Sequence, residues 1–395
     1  MAQALIARQP IFDQRQHVFG YELLYRGPEG GESTWDGNRA SSSVLLEVLN
    51  QGHGSELLGQ EKAFINLTRT LLGDLARLPL TREGMVLEVL EDIEVDEDLV
   101  SLVAWLKEAG YQVALDDFVL SEENYVLIKH ADIIKVDIQL LSWDELRYQA
   151  RQLAQHPVHL VAEKVETHEE RDLCEELGFE YFQGFFFARP EKMSGSKLPP
   201  DRARILQLME RIHDPSVELS ELKAIILHDV ALSYSILRLI NSAYFPTRTR
   251  VESVQHAVAL LGVEGTRAWL TVIAMSYLGN KPRELQVQGL LRARMTSKVG
   301  GLLGESPNRA FLVGLLSILD ALMDRPLTDL LDQIPIVNSV RKALLERSGL
   351  LGEALALVLS YERGQWADLE EAALSPGQIG QAYLDALDWA QRFAD

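Results

Sequence analysis

In the first 190 residues, short apolar runs rich in β-formers repeatedly end on, or are interrupted by, a polar or charged side chain. Glu22 falls in VFGYELLY (18–25), Asn66 in AFINL (63–67) and Glu88 in MVLEVL (85–90). Asp116 and Asp117 fall in QVALDDF (112–118), Lys135 and Asp137 in IIKVD (133–137), and Glu163 in HLVAEKV (159–165). A charge inside a buried strand is costly unless it is paired or bound to a metal. Such a pattern therefore restricts the chain to folds that bring the ends of many strands together.

Between these runs, and before a last one, YFQGFFFA (181–188), lie amphipathic helical stretches such as Asp98–Ala109 and His168–Leu177. Alternating strands and helices predict a mainly parallel sheet covered by helices, and seven or eight such units close as a (β/α)8, TIM-like barrel. The C-terminal ends of barrel strands are where active sites are built, so the acids converge if the barrel closes. Clustered carboxylates are hard oxygen ligands suited to Mg2+ or Mn2+. Cations held there activate water and offset phosphate charge, which is the logic of metal-assisted phosphodiester hydrolysis.

A segment rich in Pro, Gly, Ser and Lys, EKMSGSKLPPDR (191–202), reads as a linker. Beyond it β-patterning nearly disappears. RILQLMERI, LSELKAIIL, LSYSILRLINSAYF, VQHAVALLG and GTRAWLTVIAMSYL carry apolar residues at three- and four-residue spacing, which predicts an all-α second half of eight to ten helices. The expected domains are therefore 1–195 and 196–395.

The ordered motifs of the first half resemble the EAL family of cyclic di-GMP phosphodiesterases. YELLYR (21–26) stands where that family has its Glu-Ala-Leu signature, with Leu23 in place of the alanine. FINL, LEVLE, ALDDF, IIKVD, AEKVET and YFQGFFFARP follow in family order. The resemblance implies that Glu22, Asn66, Glu88 and Asp116 hold one metal, and that Asp117, bridging with Asp116, holds a second. It implies that Lys135 contacts the attacking water and the phosphate, and that Glu163 is general base or second-metal support. Gln183 would contact the nucleotide or a metal-bound water, and Arg26 a phosphate of the nucleotide. Asp137 is either a ligand contact or the salt-bridge partner of Lys135, Arg26 is either a phosphate contact or a surface ion pair, and Glu91 is a loop anchor or a ligand.

Two positions depart from the family pattern. Val119 follows Asp-Asp-Phe where a glycine is usual, and Lys164 follows Ala-Glu where a glycine is usual. A β-branched residue resists positive φ, so the loop after Asp117 must take another path. Two readings follow: a phosphodiesterase yielding linear pGpG, or a cyclic di-GMP receptor or scaffold with little or no turnover, signalling through the second domain.

In the second half, IILHDVALSYSILRLINSAYF (225–245) and VESVQHAVALLG (251–262) resemble the HDOD domain, a modified relative of HD phosphohydrolases. The resemblance implies a non-catalytic module that binds a protein partner. His213-Asp214 and His228-Asp229 are not read as a catalytic doublet, because no histidine follows His256 to complete a metal site. Trp269 and Cys174 are expected in cores, and Asn241 at a helix terminator.

The net charge of −20 argues against a DNA-binding surface. The single cysteine fits a reducing, cytoplasmic setting, and the apolar run AFLVGLLSIL is too short to span a bilayer, so no membrane role is expected. Homodimerisation is a family trait, and the altered loop after Asp117 weakens the expectation here.

Overall fold

The computed structural model describes residues 5–26, 61–67, 69, 72, 84–91, 93–189, 200–214, 216–228, 230–241, 251–276 and 281–394. The chain divides into two compact units, residues 1–189 with 361–366 and residues 190–360 with 367–395.

The first unit is a closed eight-stranded barrel in sequential order. Its strands are β1 (Leu5–Asp13), β2 (Val18–Arg26), β3 (Lys62–Leu67), β4 (Met85–Val89), β5 (Gln112–Leu115), β6 (Ile133–Asp137), β7 (His159–Glu163) and β8 (Tyr181–Gln183). From β2 to β8 every neighbouring pair is parallel. The first strand, which periodicity had not picked out, runs antiparallel to both β2 and β8 and closes the barrel. The last run, YFQGFFFA, is strand only as far as Gln183 and continues as a 3-10 turn over Phe185–Ala188.

Helices α1 (Glu97–Glu108), α2 (Tyr125–Ile128), α3 (Trp143–Leu153) and α4 (His168–Glu176) follow strands β4 to β7. Their starts are written locally in the sequence. The Asp96 side chain accepts the Leu99 N–H ahead of α1. Ser142 with Glu145, and Thr167 with Glu170, form reciprocal capping boxes at α3 and α4.

The barrel interior is layered by the two-residue period of its strands. Ile11, Phe64, Val86, Ala114, Ile133 and Val161 form a fully buried apolar plug. Two residues beyond Phe64, Val86, Ala114, Ile133 and Val161, on the same face, stand Asn66, Glu88, Asp116, Lys135 and Glu163. The plug is the floor on which the polar tier rests.

The second unit is helical: α5 (Pro200–His213), α6 (Leu219–Leu227), α7 (Val230–Ile240), α8 (Val254–Ser276), α9 (Arg283–Leu302), α10 (Pro307–Leu316), α11 (Leu319–Met323), α12 (Leu327–Leu331), α13 (Asn338–Glu346), α14 (Gly349–Glu362) and α15 (Pro376–Ala394). That is eleven helices among the described residues against the eight to ten expected, because α11 and α12 are single-turn pieces without a readable period. The apolar segments 254–262 and 265–276 merge into α8, broken at Gly262 with φ 67°. Pro200–Arg202, expected in the linker, form the first turn of α5, where proline is tolerated. The expected boundary at 195 lies outside the described residues.

Helix α9 packs closely on α10. A Cβ at Gly314 would come within 2.6 Å of the Arg292 carbonyl oxygen, so only glycine permits that crossing. Trp269, Phe311 and Trp389 join α8, α10 and α15, with ring centroids 5.2 Å and 5.7 Å from Trp269. By length and composition α8 could cross a membrane, but it is mostly buried within its own unit, as a core helix is.

Candidate active site

The polar tier converges on Lys135. Its Nζ lies 2.7 Å from Glu88 Oε1, 2.7 Å from Asp116 Oδ1, 2.9 Å from Glu163 Oε1 and 3.1 Å from Glu22 Oε2. These four carboxylates come from β2, β4, the end of β5 and β7. An ammonium has three N–H bonds, so four carboxylates leave it no spare donor. Lys135 and Glu88 are fully buried.

Two amides complete the tier. Asn66 Nδ2 donates to Glu22 Oε1 at 3.0 Å, and Gln183 Nε2 donates to Glu22 Oε2 at 2.7 Å. Gln183 also donates to Gln9 Oε1 of β1 at 3.3 Å. Gly184, with φ 142°, makes the approach possible: a Cβ there would sit 2.1 Å from the Val165 carbonyl oxygen. The turn after β8 is thereby held against the chain just past Glu163.

Electrostatics separate the four acids. Burial pushes Glu22 up, but the Lys135 charge and hydrogen bonds from Gln183, Lys135 and Asn66 outweigh it and hold its carboxyl below the usual range. Burial dominates at Glu88 and Glu163, which are raised well above ordinary carboxyls despite Lys135. Asp116 is also raised, by burial first and by Glu22 and Asp117 next. Lys135, pulled down by burial, is driven well above the ordinary lysine range by Asp116, Glu163, Glu22 and Glu88.

Several oxygens at this centre are buried without a hydrogen-bond partner: Asn66 Oδ1, Glu88 Oε2, Glu163 Oε2 and Gln183 Oε1. Each unmade hydrogen bond costs about 1–3 kcal/mol. Unsatisfied hard oxygens are the kind of donor a divalent cation takes. Among the described residues no three acidic, histidine or cysteine groups are disposed to hold a metal ion, and the four carboxylates are instead paired with the Lys135 ammonium.

The remaining residues are placed around this tier. Asp117, with φ 40°, turns toward Lys164, whose Nζ lies 3.6 Å from its Oδ2. Asp137 pairs with Lys164 and accepts the Gln139 N–H at 2.8 Å; its partner is not Lys135. Arg26 ends β2, two pleats beyond Glu22 on the same face. Glu91 is exposed in the turn after β4. Val119 avoids positive φ, and the loop instead bends at Asp117. Gln149 pins that loop by accepting the Leu120 N–H at 3.0 Å and donating to the Phe118 carbonyl at 2.7 Å. Lys164 was visible in the sequence only as a missing glycine, and Gln9 lies on the strand periodicity did not register.

In the second unit, His213 is buried and bonded to Thr271 Oγ1 at 2.8 Å, which gives it a structural role. The Asp214 carboxylate accepts the Ser216 N–H and hydroxyl, closing a turn. Asn241 ties the end of α7 to Val251 through both its amide groups. Asp229 of the His228-Asp229 doublet lies outside the described residues.

The EAL domain model matches residues 51–190 and the HDOD domain model residues 198–325. The cyclic di-GMP phosphodiesterase CdgJ of Vibrio cholerae serotype O1 is 32% identical over 404 residues, spanning 99% of this chain and 93% of that protein. The chain belongs to the EAL–HDOD family. Another relative of this EAL–HDOD protein is YuxH of Bacillus subtilis, 29% identical over 407 residues, 100% of this chain and 99% of that one. Among solved structures, a standalone EAL protein of Vibrio cholerae O395 with bound c-di-GMP aligns with 25% identity and a TM-score of 0.38, over 50% of this chain and 96% of that one. The EAL match begins at 51, so the β1–β2 hairpin with Glu22 precedes it. The whole-length match to CdgJ covers that hairpin.

Proposed function

We propose that this EAL–HDOD protein is a metal-dependent phosphodiesterase that opens cyclic di-GMP to linear pGpG, with its HDOD domain as a regulatory, partner-binding module. The observation that carries the reading is the convergence of Glu22, Glu88, Asp116 and Glu163 on Lys135. The family relationship to CdgJ supports it.

Glu22, Asn66, Glu88 and Asp116 are the residues we assign to a divalent cation, Mg2+ or Mn2+. Such an ion, when bound, supplies Lewis-acid activation of water and neutralises phosphate charge. Holding Glu22 ionised is the work of Gln183, Lys135 and Asn66. Lys135 is the residue that would donate N–H groups to a phosphate oxygen and to the attacking water, given a bound cation to take over part of the charge of its carboxylates. Glu163, raised well above an ordinary carboxyl by burial, is a stronger base than a carboxylate in water and suits a proton acceptor. Gln183 and Arg26 are assigned to the nucleotide. We place the protein in the cytoplasm, a reading supported by its lone, buried cysteine.

The test is turnover by the full chain. Incubated with cyclic di-GMP and Mn2+ or Mg2+, wild type should release pGpG, detected by chromatography. Glu22→Ala should lower the rate by about 100-fold or more, as loss of a metal ligand does. Absence of pGpG at high enzyme concentration with either cation would overturn the proposal.

A further inference from the structure

Lys164 stands directly after Glu163 at the C-terminal end of β7, with φ 55°. Glycine adopts this left-handed conformation freely, whereas a lysine meets repulsion between its Cβ and the following carbonyl. The backbone on both sides is fixed. Gln139 Nε2 donates to the Lys164 carbonyl at 3.1 Å, and Val165 N–H donates to the Gln183 carbonyl at 3.0 Å. A lysine is thus held under strain at a position where glycine fits better.

Its side chain has a definite destination. The Nζ hydrogen-bonds Asp137 Oδ2 and lies 3.6 Å from Asp117 Oδ2. The Asp137 side chain is only 2% exposed, so its charge needs a partner in place. Its other oxygen, Oδ1, is taken by the Gln139 N–H. With Lys164 present, both oxygens of Asp137 already have a partner. Asp117, also at positive φ, leans toward the same ammonium. Two carboxylates and one tethered cation therefore form a closed group beside the Lys135 centre.

We propose that the Lys164 ammonium is the built-in second cation of this active-site rim, so that the site takes one divalent ion where Asp117 would otherwise help to hold another. This rests on the phosphodiesterase reading above. A tethered ammonium is present at every metal concentration, and an incoming ion would have to break its pair with a buried carboxylate. Lys164 acts here as a positioning and charge-supplying group.

Mn2+ binding to the full chain decides the matter, followed by titration calorimetry and by loss of the free-ion electron paramagnetic resonance signal. Wild type should take one ion per chain, and Glu22→Ala should lose it. Lys164→Gly, which also relieves the backbone strain, should take two ions per chain at Mn2+ concentrations where wild type takes one. Lys164→Arg, which keeps the cation, should stay at one. Two ions on wild type, or a Lys164→Gly protein that still takes one, would overturn the inference and leave the phosphodiesterase reading standing. A wild type that takes no ion would overturn both.

Discussion

Lys135 Nζ lies 2.7 Å from Glu88 Oε1, and neither side chain has any exposure to solvent. The pair is embedded in three further carboxylates, so the lysine is the counter-charge of the whole tier. Removing one partner of a buried ion pair leaves uncompensated charge and costs about 3–5 kcal/mol. Lys135→Ala is expected to lower the unfolding midpoint of the first unit strongly in chelator-treated buffer. Saturating Mn2+ should return much of the loss, because the ion binds the folded state alone. Thermal melts with and without Mn2+ check this; equal losses in both would refute the counter-charge role.

Glu88 gives the opposite sign. Its folded pKa is well above the usual value, burial being the main cause. Folded protein therefore holds a proton that the unfolded chain gives up as pH rises above the ordinary Glu pKa. Stability is fully present below that value and falls as pH climbs toward the raised one. Glu88→Gln, near-isosteric and uncharged, should stabilise metal-free protein at neutral pH and flatten its decline with pH, because the folded chain no longer has to hold a proton that the unfolded chain gives up. The same substitution should abolish turnover. A metal-free Glu88→Gln protein less stable than wild type at neutral pH would contradict this account.

How much of this was legible from residues alone depends on period and on partners. Strands β2 to β7 announced themselves because an apolar run is followed, two residues on, by a polar group, the signature of a plugged barrel with a charged rim. The first strand did not, since LIARQPIFD carries Arg8, Gln9 and Pro10 in its middle and reads as irregular. The end of β8 was overrun because Phe185, Phe186 and Phe187 look like strand residues, whereas the φ of Gly184 turns them into a 3-10 segment. Side-chain partners are tertiary facts: Asp137 lies two residues from Lys135 but pairs with Lys164, because the two-residue period places a strand neighbour one pleat further along. Single-turn helices such as α11 and α12 are too short to display a period at all.

Cys174 is wholly buried on α4, and burial pushes its thiol up to about 12. Reactive cysteines are exposed and have lowered values, so this one is inert in the folded protein. A disulfide reagent such as dithionitrobenzoate should titrate no thiol in native protein near neutral pH and one per chain after denaturation. Rapid labelling of the native chain would show that α4 opens readily from the barrel.

His213 is expected to set the acid limit of the helical unit. Burial, with Arg267 nearby, lowers it to about 4. Thr271 Oγ1 already donates its proton to the Arg267 carbonyl at 2.8 Å, so it accepts from His213, and the neutral ring carries its hydrogen on Nε2. The unfolded chain binds a proton near the ordinary histidine value while the folded one does not. Stability is therefore complete above that value and is lost as pH falls toward 4. At about pH 5 the loss amounts to ~2 kcal/mol relative to neutral pH. His213→Gln keeps a hydrogen-bond donor and cannot titrate, so its urea midpoint for the helical unit should change less than that of wild type between neutral pH and about pH 5. Fluorescence of Trp269 and Trp389, which lie in that unit's core, reports the transition. Parallel pH profiles in the two proteins would mean that His213 is not the group that limits the domain in acid.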